Sequence, residues 1–381
     1  MRYPQLIKNR CWLELSASNL RFNVRQIKVQ LPAGCHMMAV VKANAYGHGS
    51  TWVARVISEE GIDYFGVASL TEAIELREAG ITEPILIFGR INLQCLDLLL
   101  DYNLECLVTS LHEAYVIHEF AQKHQVQIKC HIKLDTGMSR LGFACGHNWE
   151  QTVSEIMQIT KLSGLEIKGL MTHFLNADKE TSNFYLRQQQ RLLRIEESLR
   201  KQGLRMPFTH CCNSAAILNQ LPIIGNLVRP GIIIYGTLGG NANPRNLELR
   251  PVMTFKSRIV AIKELEAGEA VSYGPSYVCD RRRTIAVVEA GYADGVPRTL
   301  SNRAQFLVKG KRVPSIGAIC MDRLMIDISD CPDAEIGDEV VLFGLDNTGN
   351  LLSVEEQAQH AQTISYELLC AVAPRVPRIE V

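Results

Sequence analysis

The chain has 381 residues, 47% of them hydrophobic, so it can form a large buried core and its length allows two domains. Its 40 basic and 40 acidic side chains give a formal net charge of zero, which disfavours the clustered basic excess of proteins that bind nucleic acid or anionic membranes. Residues 1–16 contain no apolar run of signal-peptide length, and no stretch of about 18 consecutive apolar residues occurs. We therefore expect a cytoplasmic protein with no membrane span and reduced cysteines.

Eight apolar, strand-length runs alternate with helical patterns over the first two-thirds of the chain. Near-continuous apolar strands are typical of a parallel sheet covered on both faces. Eight strands that alternate with helices predict an α/β fold, an eight-stranded (β/α)8 TIM-type barrel. An open doubly wound sheet is the alternative, because strand count does not prove closure. The runs begin at Met37, Tyr64, Pro84, Leu104, Val126, Glu166, Phe208 and Leu227.

The helix starts between these runs carry capping signals. Ser69 is followed by Glu72, and Ser110 by Glu113. Both pairs fit the capping box, in which each side chain satisfies a free amide of the first helical turn.

The pattern changes near residue 244. The segment NANPRNLELRP reads like a linker, and several strand-like runs with turns follow it. One helix is expected near the end, opened by Ser353 with Glu356. We predict a barrel over residues 15–243 and a mainly β C-terminal domain over residues 244–381, against which residues 1–14 pack.

Lys42 is the first candidate for chemistry. It lies in VVKANAYGHG, at the predicted C-terminal end of the first barrel strand, where barrel enzymes keep their active sites. A desolvated lysine has a lowered pKa and becomes a nucleophilic amine. A lysine whose charged end simply reaches solvent at a strand end explains the same pattern equally well.

Several other polar residues end barrel strands at the same face. His173 ends strand six, Ser214 ends strand seven, and Arg229, Gly231 and Ile232 belong to strand eight. The loops after strands seven and eight of barrels commonly bind phosphate. Each residue alone is more often structural, and their shared location is what favours a site.

No metal site is expected. His210, Cys211 and Cys212 are adjacent, and neighbouring residues of a strand point to opposite faces, so the segment lacks the spacing of a zinc site.

The motifs together resemble those of alanine racemases, a family of pyridoxal-phosphate-dependent amino-acid racemases. The match spans essentially the whole chain and keeps the family's order. It implies a barrel plus a C-terminal β domain, and a homodimer with active sites shared between its subunits. It also implies interconversion of L- and D-alanine, which would supply D-alanine for peptidoglycan. The matching segments are VVKANAYGHG, KLDTGMSRLGF, THF, NSA, RPGI with IYG, VSYG, GYADG, MDRLMID and TISYELL.

The resemblance implies two bases. Lys42 would hold pyridoxal phosphate covalently and act on the D-substrate side, and Tyr273 of the other subunit would act on the L-side. Composition alone cannot assign Tyr273, because a tyrosine beside a glycine turn is ordinary. Two bases on opposite faces of the substrate Cα are what racemisation requires.

The remaining matched residues would bind or support. Arg229 would hydrogen-bond the pyridine nitrogen, with His173 beside it, and Arg140 and the Met321 amide would bind the substrate carboxylate. The phosphate would be bound by Tyr46, Ser214, Gly231, Ile232 and Tyr366. The supporting residues would be Lys133, which is carbamylated in some relatives, Tyr292 and Asp322.

The chain departs from the family's usual residues at Ala318, Arg323, Val296 and Leu175, which puts the substrate entryway in doubt. Three alternatives stay open: a serine or broad-specificity racemase of the same fold, a non-catalytic pyridoxal-phosphate carrier, and a decarboxylase relative. The carrier would lack the β domain that holds Tyr273 and Met321. The decarboxylase would use a cysteine acid, for which Cys320 is the candidate.

Overall fold

The computed structural model describes residues 10–177, 183–239 and 247–381. Its strands in chain order are β1 (Cys11–Leu15), β2 (His36–Val40), β3 (Tyr64–Val67), β4 (Ile85–Ile87), β5 (Glu105–Val108), β6 (Ile128–Asp135), β7 (Phe143–Ala144), β8 (Leu165–Met171), β9 (Phe208–His210), β10 (Leu227–Val228), β11 (Met253–Leu265), β12 (Arg283–Val288), β13 (Gln305–Val308), β14 (Lys311–Pro314), β15 (Leu324–Asp327), β16 (Glu339–Leu345), β17 (Leu351–Leu352) and β18 (Arg378–Glu380). The α-helices span Ala17–Val29, Ser50–Ser58, Leu70–Glu78, Leu96–Asp101, Leu111–His124, Trp149–Ile159, Asn183–Lys201, Ser214–Leu218, Val354–Ala361 and Ser365–Ala371.

Eight parallel strands form the predicted barrel. They run in the order β10, β2, β3, β4, β5, β6, β8, β9. The ring closes because the Arg229 amide donates to the Cys212 carbonyl at 2.8 Å and Asn213 bridges Arg229 in parallel. The closed barrel is therefore confirmed, and the open-sheet alternative is wrong. Its interior is filled by Met38, Tyr64, Leu86, Leu107, Met171 and Leu227.

The eighth barrel strand is shorter than its apolar run suggests. Only Leu227–Val228 is a strand, and Ile232–Tyr235 forms a 3-10 turn. Pro230 lies between them and has no amide hydrogen to donate to a ladder. The loop after this strand therefore begins within the apolar run, beside a cavity at this end of the barrel.

The C-terminal region is mainly β, as predicted. Its sheet runs β14, β13, β16, β11, β1, β18; in addition, β12 pairs with β11, β15 pairs with β12, and β17 pairs with β16. Strand β1 comes from the start of the chain and pairs antiparallel with β11. Residues 1–9 and the expected boundary at 243–244 lie outside the described residues, so the exact domain limits stay a prediction.

The helical end of the chain differs from expectation. The sequence predicts one helix there, and the structure has two, Val354–Ala361 and Ser365–Ala371. Gln362 has a φ of 60°, and a left-handed residue at this position ends a helix.

The capping predictions hold to different degrees. Ser69 and Glu72 form the complete capping box. Ser110 and Ser353 each cap their helix with the hydroxyl.

Within the described ranges, no helix is long and apolar enough to cross a membrane.

Candidate active site

A cavity of about 360 Å³ lies at the C-terminal end of the barrel strands, the face where barrel enzymes place their chemistry. Of the residues proposed from the sequence, it is lined by Lys42, Tyr46, Lys133, Arg140, His173, Ser214, Arg229, Gly231, Ile232 and Tyr366. Tyr366 comes from the C-terminal domain, so the second domain helps to close the barrel site.

Lys42 lies just after β2, and the four residues that follow form a left-handed turn. Ala43, Asn44, Ala45 and Tyr46 have φ values of 53°, 52°, 53° and 52°. Each non-glycine residue in this region costs roughly 1–2 kcal/mol. The turn follows directly after Lys42, whose side chain lines the cavity.

Local contacts stabilise this strained turn. The Glu72 carboxylate accepts from the Ala43 amide at 2.7 Å, while the same side chain completes the capping box with Ser69. Gly47 ends the turn with a φ of 83°, and a Cβ there would collide with the Leu369 carbonyl oxygen. The Gly47 backbone therefore lies so close to the Leu369 carbonyl that only glycine fits at the end of this turn.

The cavity is strongly cationic. Lys42, Lys133, Arg140 and Arg229 line it, and none of the described lining residues is acidic. Burial and the neighbouring Arg140 lower the pKa of Lys42. Burial and Arg229 lower the pKa of Lys133 to about 8. A site of this charge fits an anionic ligand, and its lysines are poised to lose a proton.

Polar groups from separate segments of the chain meet at one end of the cavity. The Ser214 hydroxyl accepts from the Gly231 amide at 2.8 Å. A Cβ on Gly231 would lie 2.5 Å from the Tyr46 hydroxyl, so glycine keeps this backbone open. Tyr46 packs against the Tyr366 ring, with ring centroids 5.8 Å apart.

Arg229 lies buried on the floor of the cavity. Its guanidinium donates to the Thr172 carbonyl at 2.7 Å and lies 3.3 Å from His173 Nδ1. Burial lowers the pKa of Arg229 to about 10, which leaves it protonated near neutrality. Burial and Arg229 hold the pKa of His173 well below its usual value, so the imidazole is neutral.

The other four proposed residues lie together on the C-terminal domain. Tyr273, Tyr292, Met321 and Asp322 line a separate surface depression. The Tyr273 side chain is 75% exposed, and it stands in a loop between Ser272 and Gly274, which both have positive φ. Within one chain, the structure therefore does not bring Tyr273 and Lys42 into the same cavity.

A buried carboxylate fixes the loops of this second group. Asp294 is fully buried and pairs with Arg10 at 3.0 Å and with Arg375 at 2.8 Å. Arg375 also donates to Asp322 at 2.7 Å, and Asp294 accepts from the Gly291 amide at 2.9 Å. The loops of Tyr292 and Met321 are thus tied to one ionic cluster.

Some of these supporting residues were missed from the sequence. The sequence pattern indicates Glu72 only as a helix cap, and it gives no role to Asp294, which lies in GYADG. Their partners come from distant parts of the chain, so no local pattern reports them.

The four residues that depart from the family's usual ones differ in exposure. Ala318 and Val296 are buried, whereas Arg323 and Leu175 are exposed.

Comparisons with known proteins agree with this geometry. The family model "Alanine racemase, N-terminal domain" matches residues 15–239, and "Alanine racemase, C-terminal domain" matches residues 252–380. The chain belongs to the alanine racemase family. Both halves match, as expected for a racemase and not for a carrier that lacks the β domain.

Similar proteins cover nearly the whole chain. An alanine racemase of Halothermothrix orenii is 40% identical over 367 residues, which is 96% of each chain. The solved alanine racemase of Clostridium difficile 630 is 36% identical with a TM-score of 0.91, and the match covers 98% of this chain and 96% of that one. A Bacillus anthracis alanine racemase, solved with bound L-Ala-P, is 31% identical with a TM-score of 0.87 over 98% of this chain and 95% of that one. The family assignment makes the chain an amino-acid isomerase of the kind that depends on pyridoxal phosphate.

Proposed function

We propose that this chain interconverts L- and D-alanine with two bases, Lys42 and Tyr273, and so supplies D-alanine for peptidoglycan. The observation that carries this proposal is the cationic barrel cavity with a desolvated Lys42 at the end of the first strand. Family membership supports the reaction, and the residue roles are our assignment.

The residues present fit pyridoxal phosphate. The Ser214 and Tyr46 hydroxyls line the cavity and would donate to a phosphate, and the Gly231 amide, which donates to Ser214 in this structure, lies beside them. Lys42 would bind the cofactor aldehyde covalently, and Arg229 would donate to the ring nitrogen. The cofactor supplies delocalisation of the charge left when the Cα proton is removed.

The chain's own groups would place and move the proton. Arg140 and the Met321 amide would hold the substrate carboxylate, which fixes the Cα between the bases. Lys42 would exchange the Cα proton on one face and Tyr273 on the other. Neutral His173 and protonated Arg229 would fix the polar floor beneath the ring. Tyr292 and Tyr366 would limit the size of the substrate side chain.

Lys133 would support Arg140. It lies at the cavity, is 7% exposed, and donates to the Leu134 carbonyl at 2.9 Å. The lowered pKa of Lys133 favours the neutral amine, which is the form that can react with carbon dioxide to give a carbamate and release a proton. A carbamate would place a negative charge beside Arg140.

A homodimer would complete the site. Tyr273, Tyr292 and Met321 are exposed in the single chain, and their depression is separate from the barrel cavity. If the C-terminal domain of one subunit covers the barrel cavity of the other, exposed apolar side chains become buried and both bases meet. This arrangement accounts for large exposed side chains that a monomer would leave in water.

Chiral analysis tests the proposed reaction. Incubation with L-alanine should give D-alanine and approach an equal mixture, and kcat/KM for alanine should exceed that for serine. The preference is expected to be modest, because a pocket separates substrates that differ by one small group by about 1–3 kcal/mol. Serine racemised faster than alanine would favour the serine racemase, and arginine or lysine racemised faster would contradict a small pocket.

Arg229→Glu tests the floor of the site. The substitution replaces a permanent cation by a group that allows the ring nitrogen to hold a proton. We expect slower racemisation, a changed visible spectrum of the bound cofactor, and more pyruvate formed per alanine racemised. An exposed control, Arg187→Glu, should change none of these. An unchanged spectrum and pyruvate ratio in Arg229→Glu would place the ring nitrogen elsewhere.

A further inference from the structure

A chain of hydrogen bonds leads from Arg229 through the barrel interior to a buried carboxylate. The Arg229 guanidinium lies 3.0 Å from His210 Nδ1. His210 Nε2 lies 2.9 Å from His131 Nδ1. His131 Nε2 lies 3.0 Å from Glu105 Oε2. All four side chains are buried, with 3% or less of each residue exposed.

The chemistry of the groups fixes the direction of this chain. A guanidinium can only donate, so His210 Nδ1 must accept from Arg229. A neutral His210 then carries its proton on Nε2 and donates it to His131 Nδ1. His131 therefore carries its proton on Nε2 and donates it to Glu105. Burial and Arg229 hold the pKa of His210 well below its usual value, which keeps this imidazole neutral.

The barrel is shaped to admit this chain. The ladder between β6 and β8 shifts register between Cys130 and His131, which places His131 opposite Gly169. A Cβ on Gly169 would lie 2.5 Å from His131 Nδ1. The Tyr64 ring meets His131 edge to face at 6.1 Å. Burial and the Glu105 carboxylate raise the pKa of Tyr64, so its phenol stays protonated beside the chain.

Within the described ranges, no carboxylate pairs directly with Arg229, and its hydrogen-bond partners there are histidine nitrogens and carbonyl oxygens. Among the described residues, one chain of hydrogen bonds with a fixed direction starts at Arg229, and the Glu105 carboxylate is its last acceptor. A buried cation and a buried carboxylate joined through polarised imidazoles stabilise each other more than isolated groups would.

We propose that Glu105 is a positioning residue that acts through His131 and His210 to fix Arg229 as a donor towards the cofactor ring. The proposal rests on the proposed function at one point only, the contact of Arg229 with the ring nitrogen. Without Glu105, His131 can carry its proton on Nδ1 instead of Nε2, and His210 can then change to the same tautomer. His210 would then present a hydrogen to Arg229, which would lose its acceptor and move.

The tautomers can be measured without turnover. Histidine-selective ¹⁵N labelling reports which ring nitrogen of each imidazole carries a proton, and His131→Gln and His210→Gln spectra assign the two signals. In the wild-type protein, with and without cofactor, both histidines should carry the proton on Nε2. A proton on Nδ1 of either histidine, or two protons on one ring, would overturn the proposal.

Two substitutions separate positioning from packing. Glu105→Gln keeps an acceptor through its amide oxygen, and Glu105→Leu removes it. Glu113→Gln is the matched control, because Glu113 is also buried, with 1% exposed against 3% for Glu105, but it binds a helix start and takes no part in the hydrogen-bond chain. Glu105→Leu should lower kcat about 10- to 100-fold with little change in KM, an effect of the size found when the hydrogen-bond partners of metal-ligating histidines are removed. Glu105→Gln should recover most of the loss, and Glu113→Gln should keep wild-type kcat and tautomers.

The outcomes distinguish this proposal from the proposed function. Loss of the Nε2 preference in Glu105→Leu together with lowered kcat supports the positioning role. A lowered unfolding temperature with unchanged kcat and tautomers shows a structural role and contradicts it. Should Glu105→Leu fail to fold, the wild-type tautomers and Glu105→Gln still decide. A wild-type protein that does not racemise alanine, yet shows both Nε2 protons, would contradict the proposed function alone.

Discussion

Lys42→Ala is expected to lose nearly all racemisation, the largest effect of any single substitution. Lys42 is assigned both the covalent bond to the cofactor and one of the two proton transfers. A general base alone is worth roughly 10²- to 10⁴-fold in rate, and loss of the covalent role adds to this. Racemisation of alanine by the purified variant measures the loss, and Lys123→Ala, on an exposed helix position, should retain wild-type activity.

The covalent assignment has a direct competitor inside the same cavity. Lys133 also lines it and its pKa is also lowered, to about 8. Reduction of the cofactor complex with borohydride should fix the cofactor on the peptide that contains Lys42. Labelling of the Lys133 peptide instead, with an active Lys42→Ala variant, would overturn the assignment.

Tyr273→Phe is expected to block the inversion of alanine but to leave proton exchange at Cα on the D-side. Lys42 on the D-side would still remove and return the Cα proton. In deuterated water, D-alanine should therefore acquire deuterium with its configuration retained, and L-alanine should not. Racemisation should fall by about 10²- to 10⁴-fold. Mass spectrometry of the separated enantiomers measures both quantities.

Tyr277→Phe is the matched control for this substitution. Tyr277 belongs to the same loop, but its side chain packs against the apolar cluster around Val271 and Ile285. It should racemise alanine at the wild-type rate. Deuterium entering L-alanine in Tyr273→Phe, or rapid racemisation by that variant, would assign the second base to another group.

The barrel was predictable because its signals are local. Eight apolar runs with capped helices between them repeat one unit, and the strand ends carry the polar residues of the site. The left-handed turn after Lys42 was not predictable, because KANAY contains no glycine and its strain is offset by Glu72 and by the close approach of Leu369. Tertiary contacts decide such a conformation.

Long-range partners were also beyond the reach of pattern reading. Strand β1 enters a sheet made otherwise from the end of the chain, where Cys11 pairs with Ser257. Asp294 meets Arg10 from 284 positions away. Glu105 looked like part of an apolar strand, and only the closed barrel aligns it with His131. Residues of this kind are close together in the folded protein but have no regular spacing in the sequence.

Subunit exchange between Lys42→Ala and Tyr273→Phe tests the shared site most directly. In each homodimer both sites lack a base. In a heterodimer, one site receives both substitutions and the other receives an intact Lys42 with the partner's intact Tyr273. Random exchange makes half of the dimers mixed, each with one intact site of two, so activity should return to about a quarter of the wild-type value.

Exchange must be shown separately, by tagging one variant and recovering the other with it. With mixed dimers present, return of activity is the result that this account predicts. Mixed dimers that stay inactive would contradict it, because every site would then draw Lys42 and Tyr273 from the same chain.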